Sequence, residues 1–431
     1  MERYNEYKDS GVQWLGEIPS HWEVKRLASY FIERRTKVSD KDYEPLSVTK
    51  NGIFPQLENV AKTNDGDNRK LVLKGDFVIN SRSDRKGSSG VSKYDGSVSL
   101  INIVLNPRSN VIPDYCNYIL KGYSFIEEYY RNGRGIVADL WTTRYDEMKT
   151  IKICMPPVIE QQAIVSYLDT ATAKIDEAIA QQQKMIDLLN ERKQVIINNA
   201  VTKGLDPDVP MKDSGVDWIG EIPEHWEINK FRNLFKTRTG ITFTKAQLEE
   251  EGEPVISYGQ IHSKENWGAS VNPVLIRHIP ASLTKGKESA IAFKGDFLFA
   301  DTSEDFEGCG NCVCIDTPEP IYAGYHTILA KRDNDEHEQY LAYLFASSNW
   351  RGQLRSMVNG VKVYSVTQSL LRAIIVLLPP KGEQIEIAEY ITKRVVLIDA
   401  AIKRHTDRIK LLQERKQIII NDVVTGKVKV C

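Results

Sequence analysis

The chain has no long apolar run. Its longest stretches, such as Ala373–Leu378, fall far short of the roughly 20 residues needed to cross a bilayer. The opening MERYNEYKDS has no apolar core of the kind a secretory leader carries. These absences argue against a membrane partner and lead us to expect a cytoplasmic location. Cysteine is scarce: six residues scattered over 431 are too few for a disulfide framework and read as reduced thiols. There is no glycine-rich phosphate loop ending in Gly-Lys-Ser/Thr, so ATP hydrolysis by this chain is not expected. Neither sign of charge dominates. With 57 Lys and Arg against 58 Asp and Glu, the net charge is −1, and a uniformly basic, DNA-attracting surface is missing.

What the sequence does contain, it contains twice. LNERKQVIIN at 189–198 returns as LQERKQIIIN at 412–421, a shift of 412 − 189 = 223, and Pro156-Pro157 returns as Pro379-Pro380 with the same shift. KDSGVQWLGEIPSHWE at 8–23 returns as KDSGVDWIGEIPEHWE at 212–227, a shift of 212 − 8 = 204. A repeat of this length is a duplicated domain and not a solenoid period. The order is framework block, variable region and long helix, then the same again. Hydrophobic content of 41% and charged content of 27% suit a globular protein with real cores.

Each framework block combines an Asp-Ser-Gly turn with an Ile-Pro step, and Trp14, Ile18 and Trp22 are spaced to anchor an extended strap on a neighbouring surface. His21 and His225 have no evident metal-binding or catalytic company and read as parts of that strap. The first variable region is mildly basic: Lys25 to Lys152 holds 22 Lys and Arg against 16 Asp and Glu, whereas Lys230 to Leu378 comes out near −1. Short β-branched runs broken by Asn-Gly and Lys-Gly-Asp turns predict several short strands, with helices near 115–131.

The two regions share framework strands. PLSVTKNGI at 45–53 has a counterpart in PVISYGQI at 254–261, and LKGDFVIN at 73–80 matches FKGDFLFA at 293–300. The polar tips on that framework differ. The first region offers Thr49, Lys50, Arg82, Arg85, Lys86, Arg134 and Arg144; the second offers Arg238, Thr242, Lys245, Tyr258, Gln260 and Lys362. Cations, amides and hydroxyls on loops are the groups that reach phosphates and base edges.

Each long helical segment carries a heptad seam. Leu168, Thr172, Ile175, Ile179, Gln182, Ile186, Leu189, Lys193 and Ile196 correspond to Ile391, Val395, Ile398, Ile402, His405, Ile409, Leu412, Lys416 and Ile419. Duplicated seams most simply bury each other as an antiparallel pair. Gln182 and His405 interrupt the seams at equivalent points, where a polar pair would specify register. Arg192, Lys193, Arg415 and Lys416 form a charged cluster kept in both copies and are expected to hold the helix pair and dock partners.

Enzyme-like signals are weak. Phe306-Glu307-Gly308-Cys309-Gly310 imitates a methyl-donor loop, but an acidic loop precedes it and Cys312–Ile315 reads as a strand where a helix is needed; no Asn-Pro-Pro-aromatic tetrapeptide accompanies it. Pro113-Asp114 with Glu147-Met148-Lys149 imitates a metal-dependent nuclease at too long a separation. Cys309, Cys312 and Cys314 could ligate zinc only with a further Cys or His near them, and no matched second pair exists. No catalytic residue and no metal ligand is assigned.

A block of the form D-S-G-x-x-W-[IL]-G-E-I-P-x-H-W-E, a variable region, a P-P-x-x-E-Q opening and a helix closing on L-x-E-R-K-Q-x-I-I-N, all present twice, resemble the specificity subunit of a Type I restriction-modification system. The resemblance covers nearly the whole chain. It implies an α+β fold in which two target recognition domains of mixed short strands and helices are separated by two long helices forming an antiparallel coiled coil with pseudo-twofold symmetry. The expected segments are a strap at 1–24, a recognition domain at 25–155, a long helix at 156–206, a second strap at 207–229, a second recognition domain at 230–378 and a closing helix at 379–431.

The resemblance further implies a non-catalytic reader of double-stranded DNA. Each domain would read half of a bipartite target, and the helices would set the spacer and dock two methyltransferase subunits. S-adenosylmethionine, ATP and Mg²⁺ would reside on those methyltransferase subunits and on motor-nuclease partners, with no cofactor on this chain. A coiled-coil scaffold that does not touch DNA, or a fused restriction enzyme, are the rival readings.

Overall fold

The structure is a computed structural model that describes residues 2–56, 66–135, 141–266, 270–358 and 363–430. Two helices dominate it: Val158–Lys203, of 46 residues, and Lys381–Val424, of 44 residues. At about 1.5 Å per residue each runs to roughly 65–70 Å. Each starts directly after its Pro-Pro pair, where the fixed proline φ suits a first helical turn.

The chain forms two compact units, one from residues 1–183 with 406–431 and the other from 184–405. The division cuts both long helices. Each unit therefore holds one strap, one recognition fold and a segment of each helix.

In the first unit, four antiparallel strands lie in the order Ser89–Val91, Phe77–Asn80, Asn102–Pro107, Phe31–Glu33. In the second unit the order Cys312–Cys314, Phe297–Ala300, Thr327–Arg332, Phe235–Thr239 repeats it. The central registers match: Ile79 faces Ile103 in one, Phe299 faces Ile328 in the other. The Lys-Gly-Asp-Phe motif explains why both copies turn alike. Gly75 and Gly295 take φ of 94° and 89°, open to glycine at little cost. The following aspartate closes the turn, Asp76 Oδ2 accepting from the Leu73 N–H and Asp296 Oδ2 from the Phe293 N–H, both at 2.8 Å.

Two helices pack behind each sheet, Pro113–Lys121 with Tyr123–Arg131 and Glu338–Ala346 with Ser348–Arg355. Their apolar faces join the sheet's inner face in one core per unit. Buried Phe125 and Tyr129 mark the first core, and Phe231, Phe299, Phe345 and Trp350 the second. The aspartates, the turn glycines and this core are the rigid frame on which the variable tips stand.

The straps are more structured than an extended segment. Each is a small hairpin, Tyr7–Asp9 with Glu17–Pro19 and Met211–Asp213 with Glu221–Pro223. A strand then pairs with the last strand of the recognition fold, Glu23–Arg26 with Lys152–Met155 and Glu227–Lys230 with Ile375–Leu378. Ile18, Trp22, Ile222 and Trp226 are buried as anchors, whereas Trp218 remains exposed. Both histidines have a structural occupation. The Trp22 indole N–H donates to Glu160 Oε2 at 2.9 Å while His21 Nε2 meets Glu160 Oε1 at 2.5 Å. Trp226 and His225 hold Glu383 in the same way at 3.1 and 2.8 Å. The strap thus ties down the first turn of the long helix, where a carboxylate also suits the helix dipole.

Candidate nucleic-acid interface

The helices fix what the recognition folds can present. None of the nine seam positions on either helix is fully exposed, and Leu168, Thr172, Ile175 and Ile186 are buried, as are Ile391, Val395, Ile398 and Ile419. In the first unit Lys416 Nζ meets both Asp176 oxygens at 2.6 and 2.7 Å. In the second unit Lys193 Nζ meets both Asp399 oxygens at 2.8 and 3.0 Å. Early residues of one helix meet late residues of the other, so the pairing is antiparallel within each unit. Lys193 and Lys416 are engaged between helices, while Arg192 and Arg415 stand exposed. Gln182 belongs to the first unit and His405 to the second, both half-buried.

The asparagines that close the repeated motif dock each helix on its recognition fold. Asn198 bonds the backbone N–H and hydroxyl of Ser348 at 3.0 and 2.7 Å, and Asn421 Oδ1 accepts from the Ser124 hydroxyl at 2.7 Å. The glutamine of each Pro-Pro-x-x-Glu-Gln motif is fully buried and does the same at the other end. Gln161 bonds the backbone of Pro156, Asn110 and Ile112; Gln384 bonds Pro379, His337 and the Glu336 carboxylate. The motifs are visible in the sequence, but the contacts of these glutamines and asparagines come only from the fold.

On the first unit, the turn after strand Phe77–Asn80 carries exposed Arg82, Arg85 and Lys86. Arg82 and Arg134 both form β-bridges to Thr142, which brings the Ser81–Gly90 loop and the Arg131–Gly135 segment to one place. Arg134 also pairs with Glu147 at 3.3 Å, and exposed Arg144 begins the short helix Tyr145–Met148. Lys86 reaches Glu127 at 2.7 Å. Thr49 and Lys50 sit apart from this group at the tip of the hairpin Leu46–Thr49/Gly52–Pro55, where the Thr49 hydroxyl donates to the Gly52 carbonyl at 3.0 Å.

On the second unit, a cleft of about 1160 Å³ is lined by Thr242, Lys245, Tyr258 and Gln260. Four candidates scattered over the sequence thus meet at one surface. Arg238 lies outside it, on the strand Phe235–Thr239, with Nη1 donating to the Thr237 carbonyl at 3.2 Å. Gln260 is partly committed, because its Oε1 accepts from the Ser257 N–H at 3.0 Å as a cap on the turn Tyr258–Ile261. Lys362 lies outside the described residues.

The cleft also receives Arg277, Lys264, Glu304, Asp305 and Glu307, which sequence reasoning did not place there. Loop 301–311 occupies the position of the basic loop in the first unit: Thr302 pairs with Ser365 as Arg82 pairs with Thr142. Its charge is opposite. Glu307 is balanced by Arg355 at 2.9 Å, and the Arg351 guanidinium, whose pKa burial pushes down to about 10, donates from Nε to the Cys309 carbonyl at 3.1 Å. Cys309, Cys312 and Cys314 lie in this loop and the following strand as free thiols, their pKa values raised by burial. Among the described residues no group of three Cys, His, Asp or Glu is arranged to hold a metal ion. None of the described helices is long and apolar enough to cross a membrane.

Residues 223–411 match the family model of the type I restriction modification DNA specificity domain. A putative type I restriction enzyme MjaX specificity subunit from Methanocaldococcus jannaschii is 26% identical, over 96% of each chain. The chain is thus similar, over nearly its whole length, to type I restriction enzyme specificity subunits. The type I restriction enzyme EcoKI specificity subunit from Escherichia coli is 22% identical, over 96% of this chain and 90% of its own. A chain from a solved structure concerned with assembly and conformational transition of the type I R-M system shares the fold at TM-score 0.67, with 15% identity, over 95% of this chain and 99% of that one. These full-length matches run through both halves, so the similarity spans the duplicated architecture and not the second half alone.

Proposed function

We propose that this chain is the DNA-reading subunit of a type I restriction-modification assembly, each recognition fold reading one half of a bipartite duplex target. The observation that carries this is the duplicated frame with exchanged tips. The order of the four-stranded sheet described above, the Lys-Gly-Asp turn and the strap are the same in both units, while the equivalent loop carries Arg82, Arg85 and Lys86 in one and Glu304, Asp305 and Glu307 in the other. A scaffold has no use for one frame with two chemistries; a reader of two different half-sites does.

The paired helices set the spacer and dock two methyltransferase subunits. Leu188 and Val195 on one helix, and their repeats Leu411 and Ile418 on the other, are large apolar side chains left exposed seven residues apart on a helix face, the kind of patch that a partner covers. The chain itself carries no chemistry in this reading. The methyltransferase partners supply S-adenosylmethionine-dependent methylation, and motor-nuclease partners supply ATP- and Mg²⁺-dependent steps.

The test is co-expression with a methyltransferase partner followed by mapping of methylated sites. Methylation confined to a two-part sequence with a constant gap, and lost when this chain is omitted, is the expected result. Partner capture without any sequence-dependent methylation would overturn the reading.

A further inference from the structure

The turn that precedes the third sheet strand in each unit is built alike and tipped differently. In the first unit it presents Leu100 and Ile101, both exposed; in the second it presents Tyr325 and His326. The equivalence is fixed by hydrogen bonds: the Ser81 N–H donates to the Ile101 carbonyl at 3.2 Å, and the Asp301 N–H donates to the His326 carbonyl at 3.1 Å. Both turns therefore stand directly beside the loops of opposite charge described above.

His326 is unusual in two respects. Its φ is 54°, which makes it the only non-glycine residue among those described with a left-handed backbone, a conformation that is strained for an L-residue and that concentrates at working sites. Its ring is also held from one side. Nδ1 lies 2.9 Å from Asp301 Oδ1, which accepts in addition from the Thr302 hydroxyl at 2.7 Å. A carboxylate only accepts, so Nδ1 carries the hydrogen, and Nε2 of the neutral ring is left as an acceptor. Tyr325 packs edge-on against the ring at a centroid distance of 4.1 Å, and Tyr258 at 5.6 Å. The side chain remains 39% exposed. It lines a recess of about 310 Å³ to which Thr239, Asp301, Thr302, Ser365 and Gln368 contribute polar groups, while Tyr325 lines the large cleft. An oriented acceptor on a stiff exposed ridge has the features of a reading head.

We infer that His326 is a specificity-determining residue of the second unit, its Nε2 accepting a hydrogen bond from the exocyclic amino group of one base, and that Asp301 positions it. In the major groove that donor is adenine N6 or cytosine N4. Ile101 offers only methyl groups at the same point, so the first unit makes no such polar reading there. The inference rests on the DNA-reading function proposed above and assigns one contact within it.

The test uses the full-length chain with its methyltransferase partner, mapping methylated sites for the wild type, His326→Gly and Asp301→Asn. Glycine accepts the left-handed backbone, so the first variant is expected to melt no lower than the wild type. Both variants are expected to lose discrimination at one base pair of one half-site by roughly 10- to 100-fold, with the other half-site and the spacer unchanged; whether that base is adenine or cytosine is read from the wild-type sequence. The dependence of DNA affinity on salt should keep its slope, because no phosphate contact is removed.

An unchanged target sequence in His326→Gly would overturn the inference. So would a uniform loss over all sequences with a shallower salt slope, which would make His326 a phosphate contact, or a changed sequence accompanied by a lowered melting temperature, which would make its role structural. If the wild type itself methylates no two-part sequence, the proposed function falls first and this assignment with it.

Discussion

Asp76 and Asp296 occupy the same place in the same turn, yet they do not have the same surroundings. Asp76 is 2% exposed and takes both Nε and Nη2 of Arg34, at 2.7 and 3.0 Å, so a buried carboxylate is paid for by a bidentate cation that Asp76 in turn holds above its ordinary pKa. Asp296 has no such partner in the described residues; its oxygens accept the Phe293 and Arg332 N–H groups, and burial pushes its pKa up. Asp76→Asn strands a half-buried guanidinium and is expected to cost about 2–4 kcal/mol. Asp296→Asn loses one backbone hydrogen bond and should cost about 1–2 kcal/mol. Thermal or urea unfolding of the two variants side by side checks the order. The same logic applies where Glu383 gathers Trp226 and His225: Glu383→Ala leaves the indole N–H unpaired and is expected to lower stability by about 1–2 kcal/mol, read in the same assay.

At the scale of the element, the long helices combine an inner face that pairs and an outer face that does not. The inter-helix ion pairs are partly solvated, with Asp399 45% and Asp176 56% exposed. A double-mutant cycle on Lys193 and Asp399 should therefore return a coupling below about 1 kcal/mol, which makes the pair a setter of register more than a source of stability. The outer face behaves oppositely. Replacing Leu188, Val195, Leu411 and Ile418 by serine is expected to change unfolding by less than about 0.5 kcal/mol per site, while capture of the methyltransferase subunits in a pull-down drops at least tenfold. Retention of full capture would move the docking surface elsewhere, to exposed Arg192 and Arg415 first.

For the whole molecule, duplication makes the two recognition segments exchangeable. A chain in which residues 230–378 are replaced by a second copy of 25–155 keeps both straps and both helices. It is expected to direct methylation to a target whose halves repeat the sequence read by the first unit, seen by methylome mapping. Adding one heptad to each long helix should lengthen the gap between the halves and leave both halves as they are. A change in half-site sequence from the heptad insertion would contradict the division of labour between folds and helices.

The architecture was legible in the sequence because it is written in periods and repeats: the heptad seams, the Pro-Pro starts, the Lys-Gly-Asp turns and the duplicated straps each reflect a local rule that recurs at fixed spacing. The recognition surfaces were legible only as residue types. Thr242, Lys245, Tyr258 and Gln260 stand out in the sequence by their chemistry alone, and it is the fold that gathers them into one cleft. Tyr325 and His326 carry no signal in the sequence, since nothing local tells that a turn 25 residues after Asp301 will deliver an imidazole to within 2.9 Å of its carboxylate. Local spacing determines helices, turns and their pairing because those contacts lie within a few residues or repeat along a seam. Which side chains share a surface is decided by strand order, and strand order is a property of the folded chain.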